Sequence, residues 1–240
     1  MTHAAIATKQ RLRVEWIEAS HLEIDEEETT QEIYEDAMNR LKCCHGVVVP
    51  GGFGIRGFEG KMEAIQFCRE NRTPFLGICL GMQAAVVEYC RNVLGRSGAH
   101  SAEFKVDLVK DLDDAIIFMP EGDRERMGGT MRLGLRETVL REGSTARKIY
   151  GSEKVLERHR HRYEVNPAIV PDLEALGLKF VGRNTDSSGE RMEVIELDES
   201  SHPYFVASQF HPEFTSRPEK PNPLFLGLLE ASKEIALQNP

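Results

Sequence analysis

The pentapeptide Gly77-Ile78-Cys79-Leu80-Gly81 constrains this chain more than any other stretch. The apolar run Pro74-Phe75-Leu76 leads into it, and a helical pattern, Met82-Gln83-Ala84-Ala85-Val86-Val87-Glu88, leads away. A strand, a tight turn carrying one nucleophile and a helix make a nucleophile elbow, here with cysteine in place of serine. Glycines flank the turn because the backbone must bend sharply, and a Cβ there would meet the neighbouring strand or helix. At a helix N-terminus the macrodipole and the free N–H groups attract a thiolate. The competing reading is a buried apolar cysteine between two loop glycines, and the rest of the chain decides between them.

Residues 12–17 alternate apolar and polar, as a half-buried strand does. An acidic stretch around 26–28 gives way to a helical pattern with Ile33, Ala37 and Leu41 spaced by four. Gly46-Val47-Val48-Val49-Pro50 reads as a short strand covered on both faces, 57–71 as a helix and 74–78 as the next buried strand. Residues 12–95 thus run β-α-β-α-β-α and predict an α/β fold of three layers, a mostly parallel central sheet with helices on both faces. From about residue 104 the rhythm turns to strand-like pieces at 105–109, 115–119, 130–135, 179–181, 192–197 and 204–208, which add antiparallel strands in the second half. A helix over 224–237 closes the chain. With no repeat or flexible linker, residues 1–240 read as a single domain, a size that one core still fills.

The net charge of −9 argues against nucleic-acid binding, which leaves a basic footprint. No apolar stretch approaches the roughly 18 residues of a membrane span. The start, Met1-Thr2-His3-Ala4-Ala5, lacks the basic and apolar regions of a secretory signal. Cys43, Cys44, Cys68, Cys79 and Cys90 make an odd count without disulfide spacing, which fits reduced thiols in a cytoplasmic setting.

A second signal, Gln209-Phe210-His211-Pro212-Glu213, follows the apolar run 204–208. A cysteine nucleophile needs a base for its proton and an acid for the departing amine, and histidine serves as both near neutral pH. Two residues apart in extended backbone, Glu213 faces the same way as His211 and can fix its tautomer. The third signal is Pro50-Gly51-Gly52-Phe53-Gly54. The tetrahedral intermediate of acyl transfer needs two N–H donors, one from the residue after the nucleophile, Leu80, and one from such a glycine loop, at Gly52 or Phe53. Phosphate cradling is the rival reading, but the loop lacks the Lys-Ser/Thr of a P-loop.

With these pieces the chain resembles class I (triad-type) glutamine amidotransferases, and more narrowly the C-terminal amidotransferase domain of the CTP synthase family. The narrower resemblance rests on Pro50-Gly-Gly-Phe-Gly-Ile-Arg-Gly57, Gly77-Ile-Cys-Leu-Gly-Met-Gln83, Ser101-Ala-Glu-Phe104, Met127-Gly-Gly-Thr-Met-Arg-Leu-Gly134, Glu157-Arg-His-Arg-His-Arg-Tyr-Glu-Val-Asn166 and Gln209-Phe-His-Pro-Glu-Phe214. It spans essentially the whole chain. It implies that Cys79 attacks the carboxamide of L-glutamine to form a γ-glutamyl thioester, that His211 acts as base and acid, and that Glu213 orients it. It implies a glutamine pocket made of Gly52, Leu80, Gly81, Met82, Gln83, Glu103, Arg162 and Tyr163. The chemistry agrees, because a zwitterion wants a carboxylate for its ammonium and an arginine for its carboxylate. Thr130 and Arg132 lie in a segment that the resemblance associates with activation by GTP.

The basic cluster Arg158-His159-Arg160-His161-Arg162 raises two other readings. His159 and His161 alternate, yet no Cys or His pair stands at metal-ligand spacing, so no metal is expected. A nucleic-acid patch is unexpected in an acidic chain without interleaved aromatics. Cys43-Cys44-His45 reads as a strand entry with small buried thiols.

The resemblance implies no cofactor in this domain. ATP and Mg2+ would belong to a synthase domain that converts UTP to CTP with the ammonia, a domain that nothing in the chain resembles. That domain is the expected partner, through which any homo-oligomer would form. The family also opens with a buried strand and a helix ahead of the segment like 11–18, so the chain is expected to be truncated relative to it. Two other readings remain: a stand-alone γ-glutamyl hydrolase with the same Cys-His-Glu set, and a catalytically idle regulatory or assembly module.

Overall fold

The computed structural model describes residues 1–24, 29–104, 114–119, 131–186 and 189–238. The chain opens with helix α1 (Thr2–Ala7) and, after residue 29, forms helix α2 (Gln31–Lys42). Thr30 caps α2 by accepting from the Ile33 N–H, and the buried face carries Ala37, Met38 and Leu41 as the spacing predicts. Residues 12–17, expected as a strand, form none. A strand needs partners for its backbone groups; among the described residues none pairs with this segment, and Trp16 is 83% exposed. Arg40 of α2 holds it instead, donating from Nε to Glu15 (2.8 Å) and from Nη2 to the Trp16 carbonyl (2.5 Å).

The next elements follow the expected alternation: β1 (Val47–Val49), α3 (Phe58–Asn71), β2 (Phe75–Ile78) and α4 (Leu80–Asn92). Beyond them come β3 (His100–Ser101), β4 (Asp114–Phe118), β5 (Arg132–Leu140), α5 (Thr145–Tyr150), β6 (Lys154–His161) and β7 (Tyr163–Val165). The chain finishes with α6 (Val170–Ala175), β8 (Lys179–Asp186), β9 (Gly189–Glu196), β10 (Phe205–Ser208) and α7 (Pro223–Gln238). Among the described residues, seven strands form one mixed sheet in the order β1-β2-β10-β9-β8-β5-β6, and β3, β4 and β7 form a second, small one. The parallel part is confined to β1, β2 and β10, and the other neighbours of the large sheet pair antiparallel. The three-layer α/β expectation holds, with a parallel core shorter than the sequence suggests.

Alternation along the core strands feeds two layers of packing. Phe75, Phe205 and Ala207 face the cluster built with α3 and α4, whereas Leu76 and Val206 face the cluster built with α7 and α1. Helix α4 is buried from Leu80 to Cys90, Glu88 included, and Arg69 of α3 neutralises that carboxylate at 2.6 Å. Strand β6 carries the basic cluster with strict alternation, so His159 and His161 point inward while Arg158 and Arg160 do not. Cys43 is exposed and Cys44 only half-buried, contrary to the expected buried pair, and none of the five cysteines forms a disulfide. The strand expected at 105–109 lies outside the described residues. Among those described, no helix is long and apolar enough to cross a membrane.

The site depends on a close approach of α4 to β1. A Cβ added at Gly81 would fall inside the van der Waals shell of the Val49 carbonyl oxygen, a backbone atom that cannot rotate away. Gly81→Ala is therefore expected to cost about 2 kcal/mol or more of stability, as overpacking against fixed neighbours does. Urea denaturation measures this, and a loss below about 0.5 kcal/mol, the range of ordinary surface substitutions, would show the approach to be unimportant.

Candidate active site

Val49, Gly77 and Ala207 lie side by side in β1, β2 and β10, so the three parallel strands end together. Their C-terminal ends release the glycine loop after Pro50, Cys79 and the Gln209–Glu213 segment into one place, where ligands of open α/β sheets bind. Cys79 adopts φ 52° and ψ −101°, a conformation that costs a residue with a Cβ about 1–3 kcal/mol. Its N–H donates to the Ser208 carbonyl (2.7 Å), and its own carbonyl accepts from the Met82 and Gln83 N–H groups (3.1 Å each). At Gly77 a Cβ would stand 2.8 Å from the Ala207 Cβ and 2.9 Å from the Gly81 backbone, which explains the glycine on that side of the elbow.

His211 follows β10 and is tied to β6 by its N–H, which donates to the Arg158 carbonyl (2.9 Å). Its Nδ1 donates to Glu213 Oε1 at 2.6 Å, and its ring stacks on Phe214 with centroids 4.9 Å apart. Its buried Nε2 has no hydrogen-bond partner among the described residues and is left for the neighbouring Cys79 side chain, whose sulfur lies 3.9 Å from the Arg160 carbonyl. Burial opposes charge on this imidazole, but hydrogen bonding to Cys79 and Glu213 and their negative charge prevail and raise it to about 9. Gly51 makes room for the pair: a Cβ there would lie 2.9 Å from His211 Cε1 and 3.4 Å from the Cys79 Cβ.

The cleft beside Cys79 contains Gly52, Phe53, Leu80, Gln83, Glu103, Arg162 and Tyr163 of the residues expected there. Leu80 opens α4, so its N–H has no intrahelical partner. Glu103 accepts from the Gly54 N–H at 3.4 Å; burial pushes its carboxyl up, against the pull of that bond and of Arg162. The Arg160 guanidinium lies over the Phe53 ring at 5.6 Å. Gly81 and Met82 are not in the cleft. Gly81 serves the approach to Val49, and Met82 is fully buried in the α3/α4 core. Thr130 lies outside the described residues. Arg132 is interior, 4% exposed, with Nη2 donating to Asn184 Oδ1 (2.8 Å), so touching a bound nucleotide would require it to leave that partner.

Two residues of the site escape sequence reasoning. His161 also lines the cleft, and Gln209 donates from Nε2 to the Cys79 sulfur at 3.6 Å. Strict alternation along β6 was the available signal for His161; nothing local marks Gln209. His159, His161 and Glu193 each offer one ligand atom within 4.8 Å of the others, a third donor that a search for Cys or His pairs passes over. His159 Nδ1 and His161 Nε2 are already hydrogen-bonded to each other at 3.1 Å, and the Arg132 guanidinium stands on Glu193, where a dication would meet a fixed positive charge.

The family model "Glutamine amidotransferase class-I" matches residues 2–231. The chain is 51% identical over 237 residues to CTP synthase 1-A of Xenopus laevis, covering 97% of this chain and 38% of that protein. It is 46% identical over 239 residues to CTP synthase 1 of Saccharomyces cerevisiae, covering 98% of this chain and 40% of that protein. It therefore spans about two fifths of the length of these relatives. Among solved structures, the glutaminase domain of Trypanosoma brucei CTPS with bound acivicin superposes with a TM-score of 0.85 at 40% identity, covering 97% of this chain and 85% of that one.

The raised imidazole carries a sign for stability. The folded state holds the His211 proton more tightly than the unfolded chain, so the contribution is complete below about pH 6.5 and disappears as pH rises through about 9. The stability lost in His211→Gln should accordingly be largest near pH 6 and shrink by pH 10. Paired thermal melts across that range measure it, and a pH-independent difference would contradict the assignment.

Proposed function

The chain belongs to the class-I glutamine amidotransferase family, and on that footing we propose that it hydrolyses L-glutamine to glutamate and ammonia as the amidotransferase part of a CTP synthase. The observation that carries the reading is the meeting of Cys79, His211 and Glu213 at the ends of adjacent strands, beside a cleft that holds one carboxylate and one arginine. The Cys79 thiol first gives its proton to His211 Nε2, and the resulting thiolate attacks the carboxamide carbon. The Leu80 N–H, with that of Gly52 or Phe53, receives the developing oxyanion. Collapse of the intermediate expels ammonia, which takes the proton back from His211, and leaves a γ-glutamyl thioester. His211 then removes a proton from water as it attacks the thioester carbon; glutamate departs and the thiol is restored. Glu213 holds the imidazole in the Nδ1–H tautomer and stabilises its charge throughout.

Glu103 and Arg162 suit the two ends of the amino-acid head group, and Gln83 and Tyr163 complete the wall. The ammonia would pass to a synthase domain that makes CTP from UTP with ATP and Mg2+, and GTP would act as activator. The length of the relatives supports that partnership, since more than half of each lies outside the matched region.

Cys79→Ala should lower glutaminase turnover by on the order of 10³-fold or more, as loss of a nucleophile does. Arg162→Met should raise KM by about tenfold or more with a smaller change in kcat, because a charge-assisted bond to the bound head group is lost. Ammonia release measured with and without a CTP synthase synthetase domain and GTP tests the partnership; turnover indifferent to both would leave a hydrolase that works alone. Full activity in Cys79→Ala would end the reading.

A further inference from the structure

A run of buried hydrogen bonds leads from the inward histidines of β6 to the sulfur of Cys79. His161 Nδ1 lies 3.0 Å from the Tyr163 carbonyl. A carbonyl only accepts, so Nδ1 carries the proton. Burial keeps this ring neutral, with its value pushed down to about 3, so Nε2 offers a lone pair. His159 Nδ1, 3.1 Å away, must then be the donor to it. The same Tyr163 carbonyl accepts from Gln83 Nε2 at 2.9 Å, which fixes the amide orientation of Gln83. The second proton on that nitrogen goes to Gln209 Oε1 at 3.2 Å. With Oε1 engaged, Gln209 Nε2 is the atom left to face Cys79 Sγ, at 3.6 Å. Every donor in the series therefore has one permitted direction, and the last N–H points at sulfur.

We propose that Gln209 is a catalytic residue that stabilises the Cys79 thiolate through its side-chain N–H, and that His159 and His161 are positioning residues that hold this amide in the donating orientation through Tyr163 and Gln83. The proposal rests on Cys79 being the nucleophile of the proposed reaction. The thiolate is formed before attack on the carboxamide and is released again when water cleaves the thioester, so a fixed donor lowers both barriers. His211 approaches the sulfur as a charged partner; Gln209 contributes a neutral donor that does not exchange protons with the medium.

The wall around this amide leaves little freedom. Gln209, Gln83, His159 and His161 are all buried, and the Gln209 N–H donates to the Glu193 carbonyl at 2.9 Å. A buried amide turned over would set Oε1 against the sulfur and two NH2 groups against each other, which leaves unpaired polar atoms at a cost comparable to a lost hydrogen bond each.

Alkylation of Cys79 by iodoacetamide in the intact chain, followed by peptide mass spectrometry, tests this without glutamine, so it stands apart from the identity of the substrate. The exposed Cys43 serves as internal control. Gln209→Glu keeps the shape and replaces the donor by an acceptor. Its Cys79 alkylation at pH 7 should fall by about tenfold or more, the scale of one hydrogen bond to a charged group, with the rise of rate displaced to higher pH. Gln209→Met should slow alkylation in the same direction with a smaller pH displacement, and it provides the measurement if the glutamate variant does not fold. His161→Phe should lower kcat with KM changed by less, while His161→Asn, which can place its amide N–H near the Nδ1 position, should recover most of kcat. Native alkylation profiles in both Gln209 variants would overturn the catalytic role. Equal kcat in His161→Phe and His161→Asn would overturn the positioning role, because a merely structural ring would not be rescued by a donor.

Discussion

The in-register ending of three parallel strands is the constraint on which the rest of this molecule depends. Pairing of Val49 with Gly77, and of Gly77 with Ala207, sets the heights at which β1, β2 and β10 let go of their chains. A slip of one residue would turn every side chain to the opposite face. Gln209, now beside the sulfur, would point away from it. The bond from the Cys79 N–H to the Ser208 carbonyl locks that register at its functional end. It also helps to hold the elbow in a conformation that an isolated turn containing cysteine would abandon. Gly81 beneath and Gly51 above allow the backbone to come close enough for the arrangement to close.

What was legible in the sequence was whatever a local pattern could carry. The elbow glycines, the His-Pro-Glu run and the apolar strands around them announce themselves within five to ten residues, and each was found with its neighbours. Helix α3 and the closing helix α7 were equally readable, because a helix states its own period. The resemblance added Glu103 and Arg162, which no local pattern marks and which meet in the cleft beside Cys79.

What could not be read is set by pairing at long range. Residues 12–17 alternate as well as any strand does, but alternation says only that a strand would suit the segment, not that a partner is present for its N–H and C=O groups. The converse holds at β6, where a charge-rich run that raises metal and nucleic-acid readings is a paired strand, its arginines on one side and its histidines on the other. Gln209 is the sharpest case. Its neighbours in the motif proclaimed themselves, yet its contact with sulfur depends on Gln83, which is 126 residues away.

The alternation of β6 also resolves an electrostatic difficulty. Three imidazoles lie near the nucleophile, and a thiolate would stabilise positive charge on any of them. His211 is met by a carboxylate on its far nitrogen at 2.6 Å, Glu213, whereas Glu193 stands 3.5 Å from His159 Nδ1 and is itself engaged by Arg132. His161 meets a carbonyl there, and burial and the nearby Arg132 hold both inner rings neutral, at about 3 for His161 and about 2 for His159. A second imidazolium in the same buried region would compete with His211 for the thiolate and lower the basicity on which proton transfer depends. Keeping His159 and His161 uncharged lets positive charge gather on one ring alone, the one whose proton can reach the leaving amine. Thus the residues that most resemble additional catalysts act by remaining neutral.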